Sequence, residues 1–331
     1  MSKNTTRLAR PALAFFAASV CVACTAELDP EPIMLGGPGD DMSPAGDSED
    51  MERGGPKTFE PVTDAPLAAA TRPADIEIPA GYDNSREVAL TVLLHGFTSN
   101  ARQQDLLFQL ARRTDSRDMI VVLPEGTTNS FGAQFWNATD ACCDGERSGV
   151  DDSAYIRGLI DEAKERFRID AGRVYLVGHS NGGFMAHRVA CDHADAVTGI
   201  MSLAGATHED MSQCQPSEPV SIIQVHGTMD TTILYEGGVT PFINQAYPSA
   251  RGTVEQWARL NSCDASPATG DELDLLAPAG AETEVDVYTG CNDDATVQLW
   301  TVNGAEHIPP FAQPIYTDAF LDVLFSKDKT P

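Results

Sequence analysis

The chain has 331 residues, enough for one large α/β domain or two small ones, with an ordinary 42% apolar and 7% aromatic content. It carries 49 acidic against 22 basic residues, a formal charge of −27. Such a surface repels nucleic acid and anionic membrane, which sets both aside as partners, and its simplest use is to keep an exported protein soluble.

Residues 1–23 read as a signal peptide: Arg7 and Arg10 supply the positive start, and Pro11 to Ala23 is apolar but too short to span a bilayer comfortably. Val20-Cys21-Val22-Ala23-Cys24 resembles the lipobox of bacterial lipoproteins, in which Cys24 would carry a lipid anchor; Cys21 stands where Leu is usual, and simple secretion is the alternative. Residues 24–58 are rich in Asp, Glu, Gly, Pro and Ser and poor in aromatics, so they are expected to form a disordered acidic linker. A folded domain is expected over 59–331.

Within it, Val88 to Leu94 is an apolar run suited to a buried strand, and the loop after it reads His95-Gly96-Phe97. Ala101 to Thr114 has helical periodicity, and Met119 to Leu123 predicts a second buried strand, closed by Pro124. Asp152 to Phe167 reads as an amphipathic helix. Val174 to Val177 is a short strand running into Gly178, and a helix follows to His193. Val197 to Leu203, Val220 to Val225 and Val297 to Val302 are further strands, and a last helix covers Tyr316 to Phe325. This alternation predicts an α/β fold: a mostly parallel central sheet with helices on both faces.

Gly178-His179-Ser180-Asn181-Gly182 is a G-x-S-x-G elbow between a strand and a helix. The spacing has a chemical reason. The serine must sit on a tight turn that lifts its hydroxyl above the sheet, with small flanking residues, and the helix after it aims its first amides at a developing oxyanion. Ser180 is therefore the expected nucleophile, and it needs a base and an orienting carboxylate later in the chain. Among the seven histidines, His307 alone lies in a loop after the last strand. Asp230 follows a buried strand and a Gly turn in Gln224-Val225-His226-Gly227-Thr228-Met229-Asp230, and is the expected acid. The amides of Phe97 and Asn181 are the expected oxyanion donors, while His95 reads as a structural hydrogen-bonding residue.

Several stretches together resemble an esterase family of poly(3-hydroxybutyrate) depolymerases, feruloyl esterases and acetylxylan esterases, which includes lipoprotein members. They are Leu94-His95-Gly96, Leu123-Pro124-Glu125-Gly126, Phe135-Trp136-Asn137-Ala138, Cys142-Cys143, Gly149-Val150-Asp151-Asp152, Ser180-Asn181-Gly182-Gly183, and Val225 to Asp230. The resemblance implies an α/β-hydrolase catalytic domain that cleaves carboxylic esters through an acyl-enzyme without cofactor or metal. It supports Ser180, Asp230 and His307 as a triad, and it suggests that Trp136 lies near the substrate cleft, a core aromatic being the alternative. Glu306 and Ile308 flank the base where the family often has other residues. No added substrate-binding module is evident, which points to feruloyl or acetyl esters of plant polysaccharide, or to short hydroxyalkanoate oligoesters, rather than solid polyester. The rival readings are a depolymerase acting on polymer, an acyltransferase or peptidase with the same triad, and a non-catalytic surface protein that binds polymer.

Eight cysteines are present, two of them (Cys21, Cys24) in the signal region. The even remainder in an exported chain predicts disulfides. Cys263 and Cys291 bracket one excursion and are expected to pair, whereas Cys142, Cys143, Cys191 and Cys214 allow three connectivities.

Overall fold

A computed structural model describes residues 58–68, 72–241, 243–277 and 280–329, all within one unit, Pro56–Pro331. The expected signal peptide 1–23, Cys24, and all but the last residue of the linker 24–58 lie outside the described residues.

Long uncharged runs become strands here because both faces of each are covered. In the described residues the main sheet has nine strands: β1 Asp75–Glu77, β2 Val88–Leu94, β3 Met119–Leu123, β4 Ile169–His179, β5 Gly199–Leu203, β6 Ser221–Gly227, β7 Ala268–Thr269, β8 Thr283–Tyr288 and β9 Val297–Val302. Their spatial order is β1-β3-β2-β4-β5-β6-β9-β8-β7. The six strands from β3 to β9 in that order run parallel, and β1, β8 and β7 add antiparallel edges. The expected mostly parallel α/β sheet is therefore present.

Helices α1 Ala101–Phe108, α2 Asp152–Arg166, α3 Asn181–Asp192, α4 Ala250–Leu260 and α5 Ile315–Phe325 flank the sheet. Alternate residues of β2 feed two cores. Val88, Leu90, Val92 and Leu94 pack with Ile156, Ile160, Phe184 and Trp257 from α2, α3 and α4. Ala89 and Leu93 pack with Phe108 of α1 and with Tyr316, Phe320 and Leu324 of α5. This two-sided burial removes the polar alternation that a one-sided strand would show.

The helix expected over Ala101 to Thr114 is broken. α1 ends at Gln109, which is left-handed (φ 52°), and the chain re-enters as a 3₁₀ turn at Leu110–Arg113 and a single helical turn at Thr114–Arg117. The Asp105 carboxylate accepts the Ala111 amide at 3.1 Å, so a side chain satisfies the new start where helical periodicity alone would have continued. Helix α4 and the edge strands β1, β7 and β8 were not legible in the sequence. α4 starts on the Ser249 hydroxyl, which accepts the Gly252 amide, but its first turns hold Gly252, Thr253 and Val254, which weaken the helical signal.

The disulfides are Cys263–Cys291, as expected, Cys191–Cys214, and the adjacent pair Cys142–Cys143. The last two resolve the connectivity that spacing had left open.

Candidate active site

Parallel strands bring their carboxyl ends together, and in open α/β sheets ligands bind outside those ends. Leu94 of β2 pairs with Gly178 of β4, Leu203 of β5 with His179 of β4 and Val225 of β6, and Gly227 of β6 with Val302 of β9. The loops that carry Phe97, Ser180, Asp230 and His307 all leave from this one edge, although the residues span more than 200 positions of sequence.

Ser180 has φ 54° and ψ −120°, a backbone conformation that non-glycine residues avoid and that functional turns retain. Its amide donates to the Leu203 carbonyl at 2.8 Å, which ties the elbow to β5. The flanking glycines are steric necessities. A Cβ at Gly178 would lie 2.1 Å from the Gly182 carbonyl oxygen, and one at Gly182 would lie 2.1 Å from the Leu94 carbonyl oxygen. Both obstacles are backbone and cannot rotate away. Gly182→Ala is therefore expected to cost about 2–3 kcal/mol or to prevent folding. Gly145→Ala, where a Cβ meets nothing within 4 Å, is expected to stay within about 0.5 kcal/mol of the parent. Urea melts of the two variants check this, and equal midpoints would overturn it.

The His307 Nδ1–H donates to Asp230 Oδ2 at 2.7 Å. Asp230 Oδ1 accepts the amides of Thr232 (2.8 Å) and Ile233 (2.9 Å), and its Oδ2 also lies 3.3 Å from His226 Nε2. Burial works to raise the carboxyl, but the hydrogen bonds from His226, His307 and Ile233 outweigh it and hold Asp230 well below the usual carboxylate range. His179, beside Ser180 in the elbow, reaches His307: its Nε2–H donates to the His307 carbonyl at 3.1 Å, and its ring packs 4.8 Å from the His307 ring. Burial pushes His179 down to about 3, so it acts as a neutral donor.

The loop after β2 lies over the elbow. A Cβ at Gly96 would stand 3.6 Å from Ser180 Cβ. The Gly96 amide donates to Gln104 Oε1 at 3.0 Å and the Thr98 amide to the Gln134 carbonyl at 2.9 Å, while the Phe97 amide between them donates to no acceptor among the described residues. Asn181 opens α3, so its amide has no intrahelical acceptor. The His95 ring is fully buried. Its Nε2 accepts the Gly126 amide at 2.9 Å and its Nδ1–H donates to the Gly96 carbonyl at 2.8 Å, the structural role expected of it.

Trp136 is 0% exposed and takes the alternative place, that of a core aromatic. It braces the site from beneath: its indole N–H donates to the His95 carbonyl at 3.0 Å, and its amide and carbonyl are both held by the Asn181 carboxamide, at 2.8 and 2.9 Å. The Asn181 side chain is thus a structural clamp, and it, His179 and His226 have supporting roles that sequence reasoning passed over, although the Asn181 amide was an expected oxyanion donor. Their only sequence signal is that they sit one, one and four positions from Ser180, Ser180 and Asp230.

Burial depresses the His95 and His208 imidazoles as it does His179, and pushes His187 down to about 4 from an ordinary 6.5. An unfolded chain takes up protons below about pH 6.5 that the folded chain refuses. Stability is thus expected to fall as pH drops from about 6.5 toward 4, with proton uptake on unfolding in that range. The pH dependence of the calorimetric Tm measures this, and a flat Tm between pH 6.5 and 5 would contradict it.

A strained serine at a strand-to-helix turn, two free amides above it, and a carboxylate-bound imidazole at the carboxyl edge of a parallel sheet define an α/β-hydrolase. The acetyl xylan esterase of Aspergillus awamori shares the fold, with a TM-score of 0.55 at 17% identity over 81% of this chain and 99% of that one. Residues 82–242 match the phospholipase/carboxylesterase family. Feruloyl esterase B of Piromyces equi is 25% identical over 70% of this chain and 42% of its own length. The bifunctional acetylxylan esterase/xylanase XynS20E of Neocallimastix patriciarum is 28% identical over 49% of this chain and 22% of its own length. The chain thus spans less than half of either curated relative. Its fold is that of the α/β-hydrolases, and its sequence is similar to esterases of that fold.

Proposed function

We propose that the chain hydrolyses carboxylic esters by an acyl-enzyme route. Ser180 attacks the carbonyl carbon while His307 Nε2 takes the hydroxyl proton. Asp230 fixes the His307 tautomer and stabilises the imidazolium, and the amides of Phe97 and Asn181 hold the oxyanion. His307 returns the proton to the departing alcohol. Water, deprotonated by the same imidazole, then attacks the acyl-enzyme and releases the acid and Ser180. The observation that carries this reading is the 2.7 Å bond from His307 Nδ1 to Asp230, on the same sheet edge as a serine held at positive φ.

The acyl group is read as apolar, and the feruloyl esters of plant polysaccharide fit it best. Phe97, Met229 and Ile308 are exposed large apolar side chains, and they flank the oxyanion loop, the acid and the base in turn. Such side chains suit an aromatic acyl group better than acetyl. The same rim suits a hydroxyalkanoate polyester, which is the second reading. Three disulfides support export to an oxidising compartment, where lipidation at Cys24 would tether the chain to the envelope.

The test is turnover of p-nitrophenyl acetate and butyrate, methyl ferulate, acetylated xylan and hydroxybutyrate oligomers by the full chain and its Ser180→Ala variant. Methyl ferulate leading the panel supports the aromatic reading, and hydroxybutyrate oligomers leading it support the polyester reading. A folded wild type that is inert on every ester removes the esterase and revives the polymer-binding protein.

A further inference from the structure

Behind Asp230 a line of buried polar side chains runs into the core, away from substrate. Trp257 of α4 donates its indole N–H to His187 Nδ1 of α3 at 3.0 Å. His187 Nε2 lies 3.0 Å from Gln224 Oε1 on β6. Gln224 Nε2 lies 2.8 Å from the Gly205 carbonyl and 3.4 Å from His226 Nδ1. His226 Nε2 lies 2.8 Å from the Ile233 carbonyl and 3.3 Å from Asp230 Oδ2. None of the four side chains belongs to a residue more than 1% exposed.

Every proton in this line is fixed by chemistry. An indole N–H can only donate, so His187 must accept at Nδ1 and carry its hydrogen on Nε2. Gln224 must then present its oxygen to His187 and its amino group to Gly205 and His226. His226 accepts at Nδ1 and carries its hydrogen on Nε2, facing Ile233 and Asp230. Two carbonyls that can only accept, Gly205 and Ile233, fix the same orientations independently. Burial keeps His187 neutral, which the line requires.

Resting on the proposed triad, we infer that His226 is a positioning residue for Asp230: the Ile233 carbonyl, backed by the line from Trp257 through His187 and Gln224, fixes the His226 tautomer so that its N–H faces the acid. A donor there shares the Asp230 charge with His307 and prevents the carboxylate from rotating. Without it the charge concentrates on His307 and favours its imidazolium, so the base needs a higher pH to become free. Among the other titratable groups facing this line, Tyr235 packs edge-on at 5.7 Å from the His226 ring, Tyr247 lies near Asp230, and burial raises both phenols. Burial lowers His179, beside His307, and His208, near His187.

The experiment uses the full chain with p-nitrophenyl acetate. In His226→Leu the acid limb of the kcat/KM profile is expected to move up by about half a pH unit or more, with kcat down roughly tenfold and KM little changed. In His226→Gln, which keeps an N–H near the Nε2 position, the limb is expected to return to the parent value. Trp257→Phe, on helix α4 and without a contact to Asp230, is expected to leave the limb near the parent value, because the Gly205 and Ile233 carbonyls still fix Gln224 and His226. Nitrogen NMR of labelled histidine reads the tautomer directly: His226 is expected to be protonated on Nε2 alone in the parent and in Trp257→Phe. A parent His226 protonated on Nδ1 overturns the proposal. So does an unmoved acid limb in folded His226→Leu. If the parent shows no Ser180-dependent hydrolysis, the triad reading fails instead, and the NMR measurement decides the tautomer line by itself.

Discussion

Ser180→Ala is expected to lower kcat for any ester substrate by roughly 10⁵ to 10⁶-fold, which is about 7–8 kcal/mol of transition-state stabilisation. The loss is large because the substitution removes the bond-forming atom while leaving the amides of Phe97 and Asn181 in place, so what remains is binding and oxyanion stabilisation alone. The exchange removes one oxygen and keeps the Cβ. The fold is therefore expected to survive it, and an alanine at φ 54° bears the same backbone strain that Ser180 already bears. Stopped-flow mixing with p-nitrophenyl acetate gives the sharper reading. The wild type is expected to release a burst of nitrophenol equal to its active-site concentration, whereas the variant releases none. A variant that keeps a tenth of wild-type turnover would show that another group attacks the ester.

Asp230→Asn is expected to lower kcat by about 10⁴-fold although it changes one atom. The Asp230 carboxylate meets only donors: the amides of Thr232 and Ile233 on Oδ1, and the imidazoles of His307 and His226 on Oδ2. A carboxamide brings two N–H groups into this set, and they must face one side or the other. Backbone amides can never accept, but an imidazole can switch tautomer, so the amide nitrogen turns toward His307. His307 then accepts at Nδ1 and carries its hydrogen on Nε2, where it can no longer take a proton from Ser180. The defect is expected in kcat, with KM for p-nitrophenyl acetate within a few-fold of the parent. Loss of less than tenfold would show that Asp230 does not set the tautomer of the base. Because its hydrogen bonds hold the Asp230 carboxyl so low, Asp230 stays ionised throughout the pH range in which the enzyme is expected to work. By linkage, a carboxyl depressed in the folded state contributes stability that is complete above its unfolded value near pH 3.8 and is lost as pH falls toward the folded one.

The sequence by itself determined the parts of this protein that depend on local chemistry. Val88–Leu94 and Met119–Leu123 read as buried strands because nothing in them could face water. The elbow was legible because a serine at positive φ between a strand and a helix needs glycines beside it, at positions that only close backbone approach explains. Asp230 and His307 were legible as candidates because chain order in this fold leaves few places for them. Tertiary structure alone decided what crosses the sheet. Sequence left Trp136 open between a cleft aromatic and a core one; in the fold it is fully buried, with both of its backbone groups held by the Asn181 carboxamide, 45 positions away. The pairing of Cys191 with Cys214 depends on where α3 ends relative to the loop after β5, which spacing does not encode. The edge strand β8 shows only weak apolar alternation and forms because β9 offers it six paired positions. The line from Trp257 to Asp230 joins residues from two helices and one strand. A hydrogen bond binds whatever the fold brings within 3 Å, and sequence separation carries no information about that distance.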